Sequence, residues 1–304
     1  MRRVGVEVIL ISFCTPFFGA ARAQEGADQL GIPLTVRDIT DDYLKMLPAP
    51  RYGYGKNMNP CIDCKGLLFA KAGEMLAEHG ADFIFSGEVL GQRPMSQNKQ
   101  SLHIVAKLSG HEDNILRPLS AKLLPHPQVL REARLDVEDL LAFTGRGRHD
   151  QMRLAEEFGI KSYPTAAGGC KLTEPAYSRR LKHLYSIDPE PSVNLFRLLG
   201  LGRHVRLGPA STLVVGRTES ENNAIEQLAS PDDTVLRVVG YLGPTGILTK
   251  PCSRDELRTA ASVVARYSDA PQGAETTVET LLRESKELLA TAPMPAEKTS
   301  ELLI

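Results

Sequence analysis

The chain has 304 residues, 42% of them hydrophobic, with 36 Lys and Arg against 37 Asp and Glu and a formal net charge of −1. That length and apolar fraction suit two domains of ordinary size, each with its own core, and exclude disorder for most of the chain. The sequence has no apolar run of about 18 residues, which excludes a transmembrane bundle. Near-zero charge excludes a wholly basic histone-like binder, and five cysteines are too few for a disulfide scaffold.

The first segment supports two readings. Met1-Arg2-Arg3, the apolar stretch that follows and Ala21-Arg22-Ala23 have the basic start, apolar middle and small-residue end of a secretory leader. Glu7 within the stretch, and Pro16 and Gly19 after it, read instead as a strand leaving into a turn. On that reading, the β-branched-rich run from Val4 to Phe13 is a strand buried on both faces of a parallel sheet. A second apolar stretch follows at Ile32 to Val36, then a helical signal at 41–47. Pro48 to Pro60 is a loop rich in Gly, Pro, Tyr and Asn.

Helical periodicity runs over 61–79, with Leu67, Leu68, Ala72, Met75 and Leu76 on one face, and Gly80 is placed to end the helix. Phe83 to Phe85 is a short buried strand running into Ser86-Gly87-Glu88, and residues 128–160 read as helical, closing at Gly159. The alternation is that of an α/β sheet, whose ligands sit beyond the carboxyl ends of the strands. Asp188-Pro189-Glu190-Pro191 marks a hinge. Beyond it, strands at 212–215 and 234–239 and helices at 219–229 and 254–267 predict a small α+β domain. A polar tail with weak helical character starts near residue 270.

The charge is uneven. Residues 171–206 carry seven Lys and Arg against three acids, and residues 207–304 carry nine against fourteen. The basic stretch, with Arg179, Arg180, Lys182, Arg203 and Arg206, is therefore either a phosphate-contacting face or an ordinary solvated surface.

Asn59-Pro60-Cys61-Ile62-Asp63-Cys64 opens a helix: Asn is a preferred cap and Pro a preferred first residue, so Cys61 falls in the first turn, where the helix dipole favours a thiolate. A single C-x-x-C fits a redox couple, a zinc half-site or an iron–sulfur ligand pair, and two buried thiols at a helix start are the bland alternative. Without a second C-x-x-C, a four-cysteine zinc site is disfavoured. Cys170 follows Ala166-Ala167-Gly168-Gly169, a turn-forming run suited to a site loop. Cys61, Cys64 and Cys170 thus compose either three corners of an iron–sulfur cluster or a persulfide and disulfide relay. Cys14 and Cys252 read as packing residues.

These motifs in succession, NPCIDCKGLLFAKA, GADFIFSGEVLGQRPMSQ, ILRPLSAKLLP and YPTAAGGCKLTEPAYSRRLK, resemble the PP-loop ATPase-type tRNA thiolation enzymes, in particular the 4-thiouridine synthase and 2-thiouridylase group, over residues 1–185. The resemblance implies an α/β fold with a parallel-sheet PP-loop domain (adenine nucleotide alpha hydrolase-like) over 1–187. It also implies ATP as cofactor, a tRNA uridine adenylated on its carbonyl oxygen, and sulfur displacing AMP. Cys61, Cys64 and Cys170 match that family's paired and distal cysteines, which ligate a 4Fe–4S cluster in some members and relay sulfur in others. Ser86, Gly87, Gly91, Gln92, Ser96 and Gln97 match its nucleotide loop. A sulfur donor, either a cysteine desulfurase or sulfide, and a cytoplasmic setting are implied with it. The family's Ser-Gly-Gly-x-Asp-Ser loop does not occur in this sequence, so the domain is expected to lack its first βα unit and to bind ATP poorly. The segments 202–208, 215–222 and 265–270 resemble the RNA-binding domain of the NFACT family, expected over 188–275 with a flexible tail at 276–304. That likeness implies RNA contact through Arg203, Arg206 and Arg217, against a structural role for these arginines in capping the sheet.

Overall fold

The structure, a computed structural model, describes residues 1–133, 135–163, 169–250 and 252–304. Its chain divides into two compact units, 1–170 and 171–304.

In the first unit a 3-10 turn at Arg2–Val4 precedes β1 (Leu10–Cys14), which pairs in parallel with β2 (Leu34–Asp38) across α1 (Ala21–Leu30). The strand starts six residues later than the apolar run suggests and is only partly covered, because Glu7 and Gly5 leave the run exposed before Leu10. Next come α2 (Thr40–Met46), α3 (Cys61–Glu74) and α4 (Leu76–His79), then β3 (Ile84–Phe85), α5 (Lys99–Ser109) and β4 (Ile115–Leu116), with β3 and β4 again parallel. Helices α6 (Gln128–Glu132) and α7 (His149–Glu157) close the unit. They replace the continuous helix expected over 128–160. Between them the chain turns through Gly145 in the left-handed region (φ 86°), and Thr144 bridges to Leu90.

The expected parallel sheet is present as two separate pairs. A cavity of about 490 Å³ lies between them, lined by Leu10 and Ile11 on one side and by Phe83, Ile84 and Phe85 on the other. Helix α3 packs on α5, and Phe17, Phe18 and Tyr43 stack with centroids 5.4 Å apart for each of the two pairs that Tyr43 makes.

The second unit begins with α8 (Pro175–Ile187) and α9 (Val193–Leu198). Helix α8 belongs here rather than before the hinge, because it buries Tyr177, Leu181 and Leu184, and the Tyr177 hydroxyl donates to the Phe196 carbonyl at 2.8 Å. Strands β5 (Arg203–Arg206), β6 (Thr212–Val215), β7 (Thr234–Val238) and β8 (Gly246–Thr249), with β9 (Thr276–Leu282) and β10 (Ser285–Thr291), form one sheet in the order β10-β9-β7-β8-β6-β5, antiparallel at every pairing.

Alternation sends Leu213, Val215, Leu236 and Leu248 to one face, under Ala260, Val263 and Val264 of α11 (Arg254–Arg266). It sends Val214 and Ile247 to the other, under Leu198 of α9 and Ile225 of α10 (Glu219–Leu228). Ser253 and Glu256 form a reciprocal capping box at the start of α11. Residues 276–304 are an integral part of this sheet and not a flexible tail. TTVETLL alternates so that Thr276, Val278 and Thr280 are buried, and α12 (Ala296–Glu301) delivers Leu302 to the same core.

Candidate RNA interface and cysteine cluster

Strand β5 is an edge of the sheet, and the chain's last residues cover part of that edge. The Arg206 N–H donates to the Leu302 carbonyl at 2.8 Å and the Ile304 N–H to the His204 carbonyl at 3.0 Å. Gly202, just before the strand, sits at φ 57°, where a Cβ would come 2.4 Å from the Val215 carbonyl oxygen. Only glycine allows β5 to start this close to the end of β6.

The basic residues singled out from the sequence divide into two groups. Arg180, Arg203 and Arg217 are engaged within the unit. Arg180 donates to the carbonyls of Leu199 (2.9 Å) and Gly202 (3.3 Å); burial, with the nearby charges of Arg217 and Arg179, lowers its proton affinity. Arg203 lies over the Tyr267 ring at 4.4 Å and donates to the Gly216 carbonyl at 3.4 Å. Arg217 is clamped by Glu221. Arg179, Lys182 and Arg206 are exposed to solvent. Helix α8 brings His183 to 3.0 Å from the Thr212 hydroxyl, and Thr212 is the register partner of Arg206 on β6. The exposed cations of α8 and β5 therefore lie around one corner of the sheet.

His204 is buried beneath that corner. Its Nε2–H donates to the carbonyls of Leu198 and Leu201, both at 3.1 Å, and burial pushes its pKa down to about 3, so the ring stays neutral. Nothing in its local sequence setting, between Arg203 and Val205, marked this role.

In the first unit, α3 begins at Cys61 with Pro60 in the cap position, one residue later than the sequence pattern suggests, and no side chain caps it. Asn59 instead turns its Nδ2 to the Cys61 sulfur at 3.1 Å. Asp63 folds back to accept the N–H groups of Arg51 (2.8 Å) and Tyr52 (3.0 Å), which ties the preceding loop to the helix. Cys61, Cys64 and Cys170 all lie within electrostatic reach of Tyr43. The fully buried Tyr43 hydroxyl has no well-formed hydrogen bond, and its polar counterpart is the Cys64 thiol. Burial pushes that thiol up to about 12, against the opposing influence of Tyr43 and Lys65. Tyr43 belongs to the cluster, although its sequence setting is that of an ordinary helical residue. Of the loop expected before Cys170, residues 166–168 lie outside the described residues.

Ser86 and Gly87 follow β3. The Gly91 N–H donates to the Gln97 carbonyl at 2.7 Å, closing the 86–97 loop on itself with Gln92 half-buried. Ser96 and Gln97 are buried. Within the same loop Glu88, 4% exposed, meets Lys65 at 2.6 Å and Arg117 at 2.9 Å, and these cations hold its carboxyl below the usual range against the opposing effect of burial. Cys252 packs against the core of the second unit, whereas Cys14, half-buried at the end of β1, is held protonated by burial and by Asp38. Among the described residues no group of three or more His, Cys, Asp or Glu is arranged to hold a metal ion, and no helix is long and apolar enough to cross a membrane.

Fold and site together define a two-unit α/β protein whose second unit is an antiparallel sheet, covered by helices, with cations at its β5 corner. Residues 202–303 match the family model described as NFACT protein RNA binding domain, so an RNA-binding domain occupies the last third of the chain. The match runs through β9, β10 and α12, the segment expected from sequence to be a tail. It begins at residue 202, so the likeness of residues 1–185 to thiolation enzymes stays with the sequence motifs that suggested it. No curated protein matches the chain. Among solved structures, the C-terminal part of the fibronectin/fibrinogen-binding protein from Streptococcus suis is 13% identical over 87% of this chain and 97% of that one, with a TM-score of 0.32, too low to support an argument.

Proposed function

We propose that this protein binds structured RNA, tRNA being the expected class, through the β5 corner of its second unit. The observation that carries this reading is the NFACT RNA-binding match falling on the unit whose exposed cations, Arg179, Lys182 and Arg206, are grouped there. Phosphate contacts from such residues supply affinity and register without reading bases. Arg180 and Arg203 support the corner from within, and Arg217 is paired with Glu221. The test is fluorescence anisotropy of the full chain with labelled tRNA against duplex DNA of equal length, over a salt series. Tighter binding of tRNA, with a salt slope that falls by about 2 to 3 in an Arg179→Ala, Lys182→Ala, Arg206→Ala variant, is expected. Absence of tRNA binding at low salt would refute the proposal.

A second reading adds chemistry and rests on the convergence of Cys61, Cys64 and Cys170 around Tyr43. In it, a cysteine desulfurase passes the outer sulfur of its own persulfide to one cysteine thiolate, which becomes the persulfide as the donor's thiol is released. The terminal sulfur attacks the carbon of a uridine whose oxygen has been adenylated by ATP, and AMP leaves with that oxygen. A second cysteine thiolate then attacks the inner sulfur, leaving sulfur on the base and a cysteine disulfide that a cellular thiol reduces. Ser86, Gly87, Gly91, Gln92, Ser96 and Gln97 would lie along the nucleotide. A 4Fe–4S cluster on Cys61, Cys64 and Cys170 is the alternative that the likeness implies; binding it would release the Cys64 proton, and no step is routed through it. Mass spectrometry of tRNA from cells lacking the gene separates the readings: loss of a thiouridine supports chemistry, and unchanged thiouridines support binding alone.

A further inference from the structure

A cleft of about 800 Å³ lies in the first unit, alongside α5. Its floor is apolar, built from Leu102 and Ala106 of α5 together with Ile115 and Leu130. Along the rim, α5 presents Lys99, His103 and Lys107, with His126 also on the cleft wall. The spacing of i, i+4 and i+8 puts those three side chains on one helix face, about 6 Å apart along the axis. All three are exposed, and neither lysine enters an ion pair among the described residues, in contrast to Lys65, Lys71 and Lys122. Glu112 and Asp113 line the end of the cleft beyond the helix C-terminus. Arg117 also reaches the cleft, but its charge is answered by Glu88. The cleft is therefore polarised, with cations along the helix, an apolar floor and carboxylates at the far end.

A nucleotide matches that order. Its phosphate suits the lysines, its sugar and base suit the apolar floor, and carboxylates accept hydrogen bonds from the exocyclic amine of adenine, cytosine or guanine, which uracil lacks. We propose that this cleft is a nucleotide-binding site that gives the protein a second contact with RNA, preferring an amine-bearing base over uracil. The ligand chemistry is that of a nucleoside monophosphate, free or within a strand. The strand assignment rests on the RNA-binding reading.

The experiment uses the full chain and labelled 12-nucleotide single strands of A, C or U across a salt series, alongside titrations with AMP, CMP, UMP and inorganic phosphate. A Lys99→Ala, Lys107→Ala variant, altered only at exposed positions, should bind A and C strands at least 10-fold more weakly and lower the salt slope by about 1.4. Wild type should favour A and C over U. Glu112→Gln, Asp113→Asn should abolish that preference while leaving the salt slope intact. Saturable AMP binding without any strand contact assigns the cleft to a free nucleotide, and binding of the strand alone assigns it to RNA. If the lysine variant binds strands as wild type does while the Arg179, Lys182, Arg206 variant binds them more weakly, the cleft proposal fails and the RNA reading stands. If wild type binds neither strands nor tRNA, both fail.

Discussion

Arg217 and Glu221 hold each other across the first turn of α10: the Arg217 backbone N–H donates to the Glu221 carboxylate at 2.9 Å and its guanidinium Nε at 3.0 Å. The hydrogen-bonded Arg217 guanidinium brings the Glu221 carboxyl down to about 2. A folded value below the unfolded one means that the pair stabilises the fold above about pH 4.5 and that this contribution is lost as pH falls toward 2. The pair is partly exposed, so screening limits it, and Glu221→Gln should cost about 1 kcal/mol at pH 7 by chemical denaturation. Because Arg217 is committed here, Arg217→Ala should lower stability while leaving the salt slope of tRNA binding nearly unchanged. A drop in slope matching that of Arg206→Ala would show that Arg217 contacts phosphate.

His204 carries a pH signature of its own. With its folded pKa lowered to about 3, protons bind the unfolded chain first, so stability is complete above about pH 6.5 and declines as pH falls toward 3. At pH 5 the loss should be about 1 to 2 kcal/mol. His204→Gln, which keeps an N–H donor for the Leu198 and Leu201 carbonyls, should flatten the pH dependence of the thermal midpoint between 5 and 7. An unchanged slope would contradict the assignment.

The Lys65–Glu88–Arg117 group is held away from water. Glu88→Gln would leave two cations beside a neutral amide, and with Arg117 only 9% exposed it should cost about 3 kcal/mol. The measurement is urea unfolding monitored in the first unit. A cost below about 1 kcal/mol would mean that water reaches the group.

Cys64 should resist alkylation. Burial holds it as a thiol, so iodoacetamide at pH 8 should leave it unmodified in the folded protein and label it in guanidinium, as read by peptide mass spectrometry. Labelling at the unfolded rate would place Cys64 in an accessible position and remove the support for a shielded cluster.

Gly202→Ala tests the β5–β6 approach. A methyl 2.4 Å from the Val215 oxygen, on backbone at φ 57°, should cost about 2 to 3 kcal/mol. A thermal midpoint within a degree of wild type would show that the corner relaxes freely.

Local pattern alone determined the helices at 61–79, 219–229 and 254–267, the strands at 212–215 and 234–239, and the NFACT-type likeness of the second unit. Each depends on near-neighbour spacing: apolar periodicity, a Ser253 cap with Glu256 three residues on, a glycine stop at Gly80. The same local reading mistook 276–304 for a tail, because the partners that make TTVETLL and SKELLAT into strands are each other and β7. It assigned α8 to the first unit, because the Tyr177–Phe196 contact crosses the proline-rich hinge that looked like a boundary. It singled out five cations as a basic stretch and added Arg217 from the NFACT likeness. Tertiary packing turned Arg180 and Arg203 onto carbonyls and Tyr267 and left Arg179, Lys182 and Arg206 facing water, whereas Arg217, itself exposed, is paired locally with Glu221. Motif and loop setting singled out Cys61, Cys64 and Cys170 from the five cysteines, but only the folded chain brings Tyr43 among them. Spacing along a chain sets which residues share a face; what that face meets depends on segments far away in sequence, and that meeting decides burial, charge and the availability of each side chain.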